Sequence, residues 1–193
     1  MRHARPEHIE DAEGPADPEL TEVGHRQAKA MADWLASEDL HALYTSPMRR
    51  ARQTAAPLEA VTGLTATVVS GVREYDAEAS TYIPVEVMRS DKEAWRRFLD
   101  NEMAADRSAF AAEVAETLRD LIAAHRGERI AVVCHGGVIN MWASELLGLE
   151  PQMFFNPDYT SINRFRAAST GERSIVSLNE TGHLRVEPEL ILG

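Results

Sequence analysis

A continuous apolar strand followed by a glycine pair and a helix constrains the fold more than any other feature of the sequence. RIAVVCH at residues 129–135 has no polar alternation, which is typical of a strand buried on both faces of a parallel sheet. Gly136-Gly137 then turns the chain into an apolar helical segment. Shorter strand-like segments at residues 41–45 and 65–70 are also separated by a helical segment. This alternation predicts an α/β fold, a three-layer α/β/α sandwich with a mostly parallel central sheet.

Helical periodicity and capping residues predict where the helices lie. Thr21 is placed as the N-cap of a helix whose apolar residues include Met31 and Leu35. Ser46-Pro47 has the form of a cap followed by proline in the first turn, and Pro57 should kink or end the helix that follows. The remaining helix predictions cover residues 84–89, 92–99 and 109–127, the last of them closed by Gly127 at C′.

The C-terminal part of the chain has the pattern of short strands. Alternating segments predict strands at residues 162–168, 173–179 and 183–187, with a turn at 180–182 between the last two. A length of 193 residues fits one domain, and we find no internal repeat or boundary. We therefore expect a single domain over residues 1–193.

Charge and cysteine content restrict the partners and the compartment. A formal net charge of −11 argues against general nucleic-acid or anionic-membrane binding, since both need a basic surface. No apolar run approaches the roughly 18 residues of a membrane span. The single cysteine, Cys134, allows no internal disulfide, and the charged N-terminal segment is unlike a signal peptide, so we expect a cytoplasmic protein. The sequence leaves the oligomeric state open and is compatible with a homodimer.

Three polar clusters occupy positions where strands lead into helices or loops. They are Arg2-His3, the segment at residues 45–50, and Cys134-His135-Gly136-Gly137. Ligands of open α/β sheets bind beyond the carboxyl ends of the strands, so the clusters are expected on one rim. Imidazole can act as nucleophile or proton carrier, guanidinium matches phosphate oxygens, and glycine amides at a helix start, Gly136 among them, suit an anion. The combination predicts a phosphate site with a histidine available for attack.

Other kinds of site fit the sequence less well. A cysteine phosphatase would need Cys-x5-Arg, but the residue at that spacing from Cys134 is Asn140. The seven histidines form neither His-Glu-x-x-His nor His-x-His, so no metal site is expected. Arg49 and Arg52 are expected to form a solvated helix face.

The chain resembles the histidine phosphatase superfamily, which includes the cofactor-dependent phosphoglycerate mutases. The resemblance rests on MRHARPE, LTEVGHRQA, YTSPMRRARQTA, VREYD and IAVVCHGGVI, which keep the order and spacing of the family over residues 1–140. It implies the phosphoglycerate mutase-like fold over the whole chain and catalysis without a metal or organic cofactor.

The resemblance also implies a role for each site residue. His3 would attack phosphorus and become phosphohistidine, while Arg2 and Arg50 would hold the phosphoryl oxygens. His135 would be a further member of the phosphate pocket. Glu74, in VREYD, would protonate the leaving group and then activate water, although Asp76 and Glu78 lie nearby as alternative carboxylates.

Departures from the family pattern bear on the substrate. Ala4 stands in place of the glycine after the catalytic histidine. Pro6 and Ile9 stand where mutase-like members have a phosphate-binding hydroxyl and amide, and Arg5 is a candidate substrate-binding residue that would compensate in part. The Gly-Glu-Ser stretch of many relatives is replaced by the sequence at residues 105–108.

We therefore expect hydrolysis of a small phosphomonoester. The alternatives are a phosphoglycerate mutase-type phosphotransferase and a catalytically inactive phosphoester-binding domain on the same fold. Relatives carry several apolar residues before the Arg-His pair, whereas only Met1 precedes it here, so we also expect the native chain to start upstream. The first residues should lie beside the strand at 129–135, with His3 facing His135.

Overall fold

A parallel sheet forms the centre of the computed structural model, which describes residues 1–93, 95–96 and 106–191. Its strands are β1 (Ala42–Thr45), β2 (Ala66–Val68) and β3 (Ile130–Val133), in the order β2-β1-β3. Both pairings are parallel, and Leu43 of β1 lies opposite Ala66 on one side and Ala131 on the other. The three predicted strands and the parallel sheet are confirmed.

The start of the chain pairs with the end of β3. Arg2 forms a parallel bridge with Cys134, and the His3 amide donates to the Cys134 carbonyl at 2.8 Å. The Cys134 amide in turn donates to the Met1 carbonyl, also at 2.8 Å. The first residues therefore lie beside the 129–135 segment as predicted, and this pairing carries His3 to the rim of the sheet.

Five α-helices have bounds within the described residues. Their bounds are α1 (Glu22–Leu35), α2 (Arg49–Thr62), α3 (Val85–Ser90), α4 (Ser108–Ala124) and α5 (Gly136–Leu147). The Gly24 amide donates to the Thr21 hydroxyl at 2.9 Å, which confirms Thr21 as the cap of α1. The predicted helix at 92–99 extends outside the described residues.

Some helix boundaries differ from the predictions. The N-cap of α2 is Met48 rather than Ser46, because the Ser46 hydroxyl accepts from the Met48 amide and contacts the His135 ring instead. The helix α2 does not end at Pro57 but continues to Thr62, and Gly63, with a φ of 72°, caps it. The helix α4 ends at Ala124, before the predicted closure at Gly127, since His125 leaves helical geometry and contacts the Tyr44 hydroxyl at 2.6 Å.

The C-terminal segments form a hairpin and a turn of helix. The strands β4 (Ile162–Ala167) and β5 (Arg173–Glu180) pair antiparallel, in agreement with two of the predicted strands. The third predicted strand, at residues 183–187, is wrong: Gly182–Val186 is a 3-10 helix. Its consecutive residues His183 and Leu184 are both buried, which a strand with one buried face cannot achieve.

Helices cover both faces of the sheet. One face packs Met31 and Leu35 of α1 and Leu58 of α2 against Ala131 and Val133 of β3. The other face packs residues of α4 and α5 around Val132 and Cys134, among them Val114, Val138 and Trp142. Successive residues of β3 thus enter opposite cores, which makes the three layers. Among the described helices, none combines the length and apolarity needed to cross a membrane.

Candidate active site

His3 lies at the centre of the candidate site with a defined tautomer. It is 2% exposed, and its Nδ1 lies 2.7 Å from the Ala4 carbonyl oxygen. Because a carbonyl can only accept, Nδ1 carries the proton and the lone pair of a neutral ring is on Nε2. Burial, followed by the charges of Arg50 and Arg2, holds the pKa of His3 well below its usual range. His3 is therefore neutral and nucleophilic near neutral pH.

His135 faces His3 from the other side of the pocket. The centroids of the two rings are 5.1 Å apart. His135 Nε2 lies 2.7 Å from the Ser46 hydroxyl, which can donate its proton to Nε2 while it accepts from the Met48 amide. In this arrangement Nε2 accepts and Nδ1 keeps the proton of the neutral ring. Burial, with the Arg50 charge next, holds the pKa of His135 well below its usual range.

Two buried arginines supply the positive charge of the site. Arg50 is 0% exposed, and within the described part of the chain none of its three guanidinium nitrogens has a hydrogen-bond partner. Arg2 donates through Nη1 to the Pro157 carbonyl, and its Nε has no partner among the described residues. Buried donors normally have partners, so this arrangement is suited to a bound anion.

Two tyrosines lie against the faces of these guanidiniums. The Arg50 Cζ atom is 4.6 Å from the centroid of the Tyr82 ring, and the Arg2 Cζ atom is 4.2 Å from that of Tyr159. Stacking occupies only the faces, because guanidinium N–H groups point outward in the plane of the group. No local sequence pattern indicates the two contacts. The Tyr82 ring, for example, is positioned by backbone pairing with Ile9, which is far away in the chain.

Glu74 supplies a carboxyl group at the start of α5. Its Oε2 accepts from the Gly137 amide at 2.9 Å and its Oε1 from the Tyr75 amide at 3.1 Å. The Gly137 amide is therefore used by Glu74, which leaves Gly136 as the candidate anion-binding amide of the glycine pair. Burial, followed by the negative charge of Asp76, raises the pKa of Glu74 to about 7. Such a group can both donate and accept a proton near neutral pH.

Arg5, the candidate substrate-binding residue, forms an ion pair. Its Nε is 3.1 Å from Glu86 Oε1, so the side chain that was expected to bind substrate is ion-paired in the structure. Glu86 was not singled out from the sequence. The other predicted residues, Arg2, His3, Arg50, Glu74 and His135, are brought together at the rim.

A loop between α5 and β4, residues 154–161, forms one wall of the site. It provides the Pro157 carbonyl to Arg2 and the Tyr159 ring, whose centroid is 5.9 Å from that of His3. The Thr160 amide donates to the His3 carbonyl at 3.3 Å, and Thr160 adopts a φ of 56°, which is uncommon for a β-branched residue. We refer to residues 154–161 as the wall loop. Over the described ranges, no three His, Cys, Asp or Glu side chains are grouped as metal ligands would be.

Comparison with known proteins finds related sequences and structures. The relative named "Probable phosphoglycerate mutase GpmB", from Yersinia enterocolitica, is 30% identical over 146 residues, which cover 72% of this chain and 68% of the relative. The solved structure of phosphoserine phosphatase from Entamoeba histolytica in complex with 3-phosphoglyceric acid is 26% identical with a TM-score of 0.74, over 95% of this chain and 96% of the other.

A third similarity is to the fold alone. A mycobacterial glucosyl-3-phosphoglycerate phosphatase, solved as a complex with VO3, superimposes with a TM-score of 0.76 at 22% identity, over 93% of this chain and 96% of that one. The family model for the histidine phosphatase superfamily (branch 1) matches residues 1–181. Since that match spans nearly the whole chain, the protein belongs to branch 1 of the histidine phosphatase superfamily.

Proposed function

We propose that this histidine phosphatase hydrolyses a small phosphomonoester in two steps through a phosphohistidine on His3. The observation that carries the proposal is the unpartnered Arg50 guanidinium, buried among the described residues beside two neutral histidines. A dianionic phosphoryl group would satisfy these donors without any other change of charge in the pocket.

In the first step His3 Nε2 attacks phosphorus, and the bond from phosphorus to the ester oxygen breaks. The electron pair of that bond goes to the departing oxygen, which takes a proton from the Glu74 carboxyl group. Arg2 and Arg50 stabilise the charge on the transferring oxygens, with His135 donating from Nδ1 and Gly136 from its amide. The Nδ1–H bond of His3 to Ala4 stabilises the positive charge that develops on the ring.

In the second step Glu74, now a carboxylate, takes a proton from a water molecule. The water oxygen attacks phosphorus, the phosphorus–nitrogen bond breaks, and its electron pair returns to His3 Nε2. The products are inorganic phosphate and a protonated Glu74, so the enzyme is regenerated. A pKa of about 7 for Glu74 supports both roles at one pH.

Hydrolysis is proposed over mutase transfer. A mutase must retain a charged intermediate while it turns over in the pocket, which requires free cations beyond the phosphate site. Arg5, a candidate for that role, is paired with Glu86. We also propose that no cofactor is required, that the substrate is a small phosphorylated molecule, that the protein acts in the cytoplasm, and that it can form a homodimer.

The proposal is tested with an aryl phosphate and with isotopically labelled substrate. We expect hydrolysis that a chelator does not reduce, and a labelled protein whose phosphoryl group is acid-labile and alkali-stable, as a phosphoramidate is. His3→Ala should lose about 10⁴-fold or more in kcat and take up no label. Full activity in His3→Ala, loss of activity with chelator, or faster isomerisation than hydrolysis of phosphoglycerate would each contradict the proposal.

A further inference from the structure

An ion pair lies beside the phosphate pocket and is joined to it through one tyrosine. Arg5 Nε contacts Glu86 Oε1 at 3.1 Å, and the Tyr159 hydroxyl donates to Glu86 Oε2 at 3.1 Å. The ring of the same tyrosine lies 4.2 Å from Arg2 Cζ. Tyr159 thus links the two oppositely charged side chains to Arg2, whose guanidinium is proposed to bind the phosphoryl group.

The backbone around the pair is well fixed. The Arg5 amide donates to Gln27 Oε1 at 3.0 Å, and the Arg5 carbonyl accepts from the Thr21 amide at 3.0 Å. Gly24 packs so closely that a Cβ there would lie 2.1 Å from the Arg5 carbonyl oxygen. Glu86 belongs to the first turn of α3. The position of the charges is therefore set by α1 and α3 rather than by the side chains alone.

The two side chains of the pair are partly exposed, although the Glu86 Oε1 atom that faces Arg5 is buried and the contact is an ion pair without hydrogen-bond geometry. The Arg5 and Glu86 side chains are 29% and 20% exposed, whereas Arg50 is 0% exposed. A phosphoryl group held by the buried arginines must direct its alcohol portion outward. The partly exposed charges next to Tyr159 are then among the first that this portion meets.

We propose that the Arg5–Glu86 pair determines the charge selectivity for the alcohol portion of the substrate. Paired, the two side chains present no net charge, so a substrate carboxylate would lose water there without gaining a free cation. Esters of uncharged alcohols are therefore favoured over esters that carry a carboxylate beside the phosphoryl group. An unpaired Arg5 would attract such a carboxylate, and an unpaired Glu86 would repel it. This inference rests on the proposed phosphatase function and names its substrate class.

The test compares glycerol 3-phosphate with 3-phosphoglycerate, which differ by a hydroxymethyl group in place of a carboxylate. In the wild type kcat/KM is expected to be higher for glycerol 3-phosphate. Glu86→Gln, which keeps an acceptor for the Tyr159 hydroxyl, should raise the ratio of 3-phosphoglycerate to glycerol 3-phosphate about tenfold. Arg5→Gln should lower that ratio, and the double variant should return close to the wild-type ratio.

The matched control is Glu38→Gln, which removes the same charge from a carboxylate paired with Arg129 and Arg164. Its ratio should equal that of the wild type. The shift in Glu86→Gln should also shrink as ionic strength rises, because the pair is partly exposed. An unchanged ratio in Glu86→Gln, an equal shift in Glu38→Gln, or a wild type that prefers 3-phosphoglycerate would overturn the inference.

A binding experiment separates this inference from the proposed function. Dissociation constants of the same two esters are measured by calorimetry on the His3→Ala background, where no turnover is needed. Adding Glu86→Gln to that background is expected to change the ratio of the two constants as it changes the kinetic ratio. If the ratio of dissociation constants changes but the wild type hydrolyses neither ester, only the proposed function is contradicted. If the wild type hydrolyses the esters but the ratio of dissociation constants does not change, only the charge selectivity is contradicted.

Discussion

The pKa of Glu74 is raised even though its carboxyl group accepts hydrogen bonds from backbone amides, which by themselves would lower that pKa. The Gly137 and Tyr75 amides favour the charged form, and burial together with Asp76 outweighs them. Glycine at position 137 also lets Glu74 keep its place beside α5, because a Cβ there would lie 2.0 Å from Glu74 Oε1 and the carboxyl group would have to shift. A single carboxyl group therefore accounts for a sequence feature that looks like an ordinary strand-to-helix turn.

Replacement of this carboxyl group should depend on the leaving group. For an alkyl phosphate, Glu74→Gln is expected to lower kcat about 10³-fold, since a poor leaving group needs its proton. For 4-nitrophenyl phosphate the loss should be much smaller. In the wild type, alkyl ester turnover should fall as the pH rises through about 7, where Glu74 loses the proton that it donates. Rates measured from about pH 5 to about pH 9 test both effects.

The control is Asp76→Asn, which removes a neighbouring negative charge and keeps Glu74. Because the Asp76 charge raises the pKa of Glu74, its removal should move the decline in rate to lower pH without abolishing it. Equal losses for both esters in Glu74→Gln would instead point to a structural role for Glu74.

Among the elements, the wall loop depends on one buried side chain of α5. Asn140 donates through Nδ2 to the Gly136 and Phe155 carbonyls, both at 2.9 Å, and its Oδ1 accepts from the Phe154 and Phe155 amides. These bonds join the start of the wall loop to the first turn of α5. The same loop then provides the Pro157 carbonyl that holds Arg2.

Loss of this side chain should weaken anion binding as well as stability. Asn140→Ala leaves two amides and two carbonyls without this partner, and a displaced Arg2 could reduce kcat/KM by up to about 100-fold. The measurement pairs kcat/KM with the dissociation constant of inorganic phosphate. Ser144→Ala, in the same helix with one bond of 3.4 Å to the Gln152 carbonyl, should change both far less. A lower melting temperature with unchanged phosphate affinity would contradict this role.

Local sequence patterns predict a helix or strand correctly where the contacts that determine it are also local. The apolar run of β3 and the Thr21 cap act over a few residues, so their predictions agree with the structure. The start of α2 was misplaced because Ser46 contacts His135, 89 residues away. The strand expected at 183–187 failed because His183 packs beside Trp34 of α1, with ring centroids 6.5 Å apart. Within the site, resemblance identified the residues that converge, whereas Tyr82, Tyr159 and Glu86 depend on tertiary pairing.

For the molecule as a whole, the pocket carries a cost in stability. Arg50 is buried with its three nitrogens unpartnered in the described ranges, close to two histidines whose pKa values are depressed. A depressed histidine pKa means that the folded state binds fewer protons than the unfolded state. The contribution of these histidines to the free energy of unfolding is therefore fully present above their unfolded pKa of about 6.5. It is lost as the pH falls through their lower pKa in the folded state. His183, with a pKa lowered from 6.5 to about 4, adds the same dependence between those two values.

The cost of the buried cation can be measured by removing it. Arg50→Met replaces the guanidinium with an apolar side chain and should stabilise the protein by about 1–3 kcal/mol in phosphate-free buffer, while it abolishes turnover. Inorganic phosphate should raise the melting temperature of the wild type and have little effect on this variant. Arg52→Met removes the same charge from an exposed position of α2 and should retain the response to phosphate. A destabilised Arg50→Met that still responds to phosphate would show that Arg50 is not the anion-binding group.

The unpartnered donors around Arg50 also bear on how the catalytic cycle closes. They match a phosphoryl oxygen whether it belongs to an ester or to the inorganic phosphate left behind. In the proposed mechanism the pocket holds its product by the same contacts that bind its substrate, and release of phosphate becomes a candidate for the slowest step. Turnover would then slow as the concentration of free inorganic phosphate rises, a form of feedback that needs no second binding site.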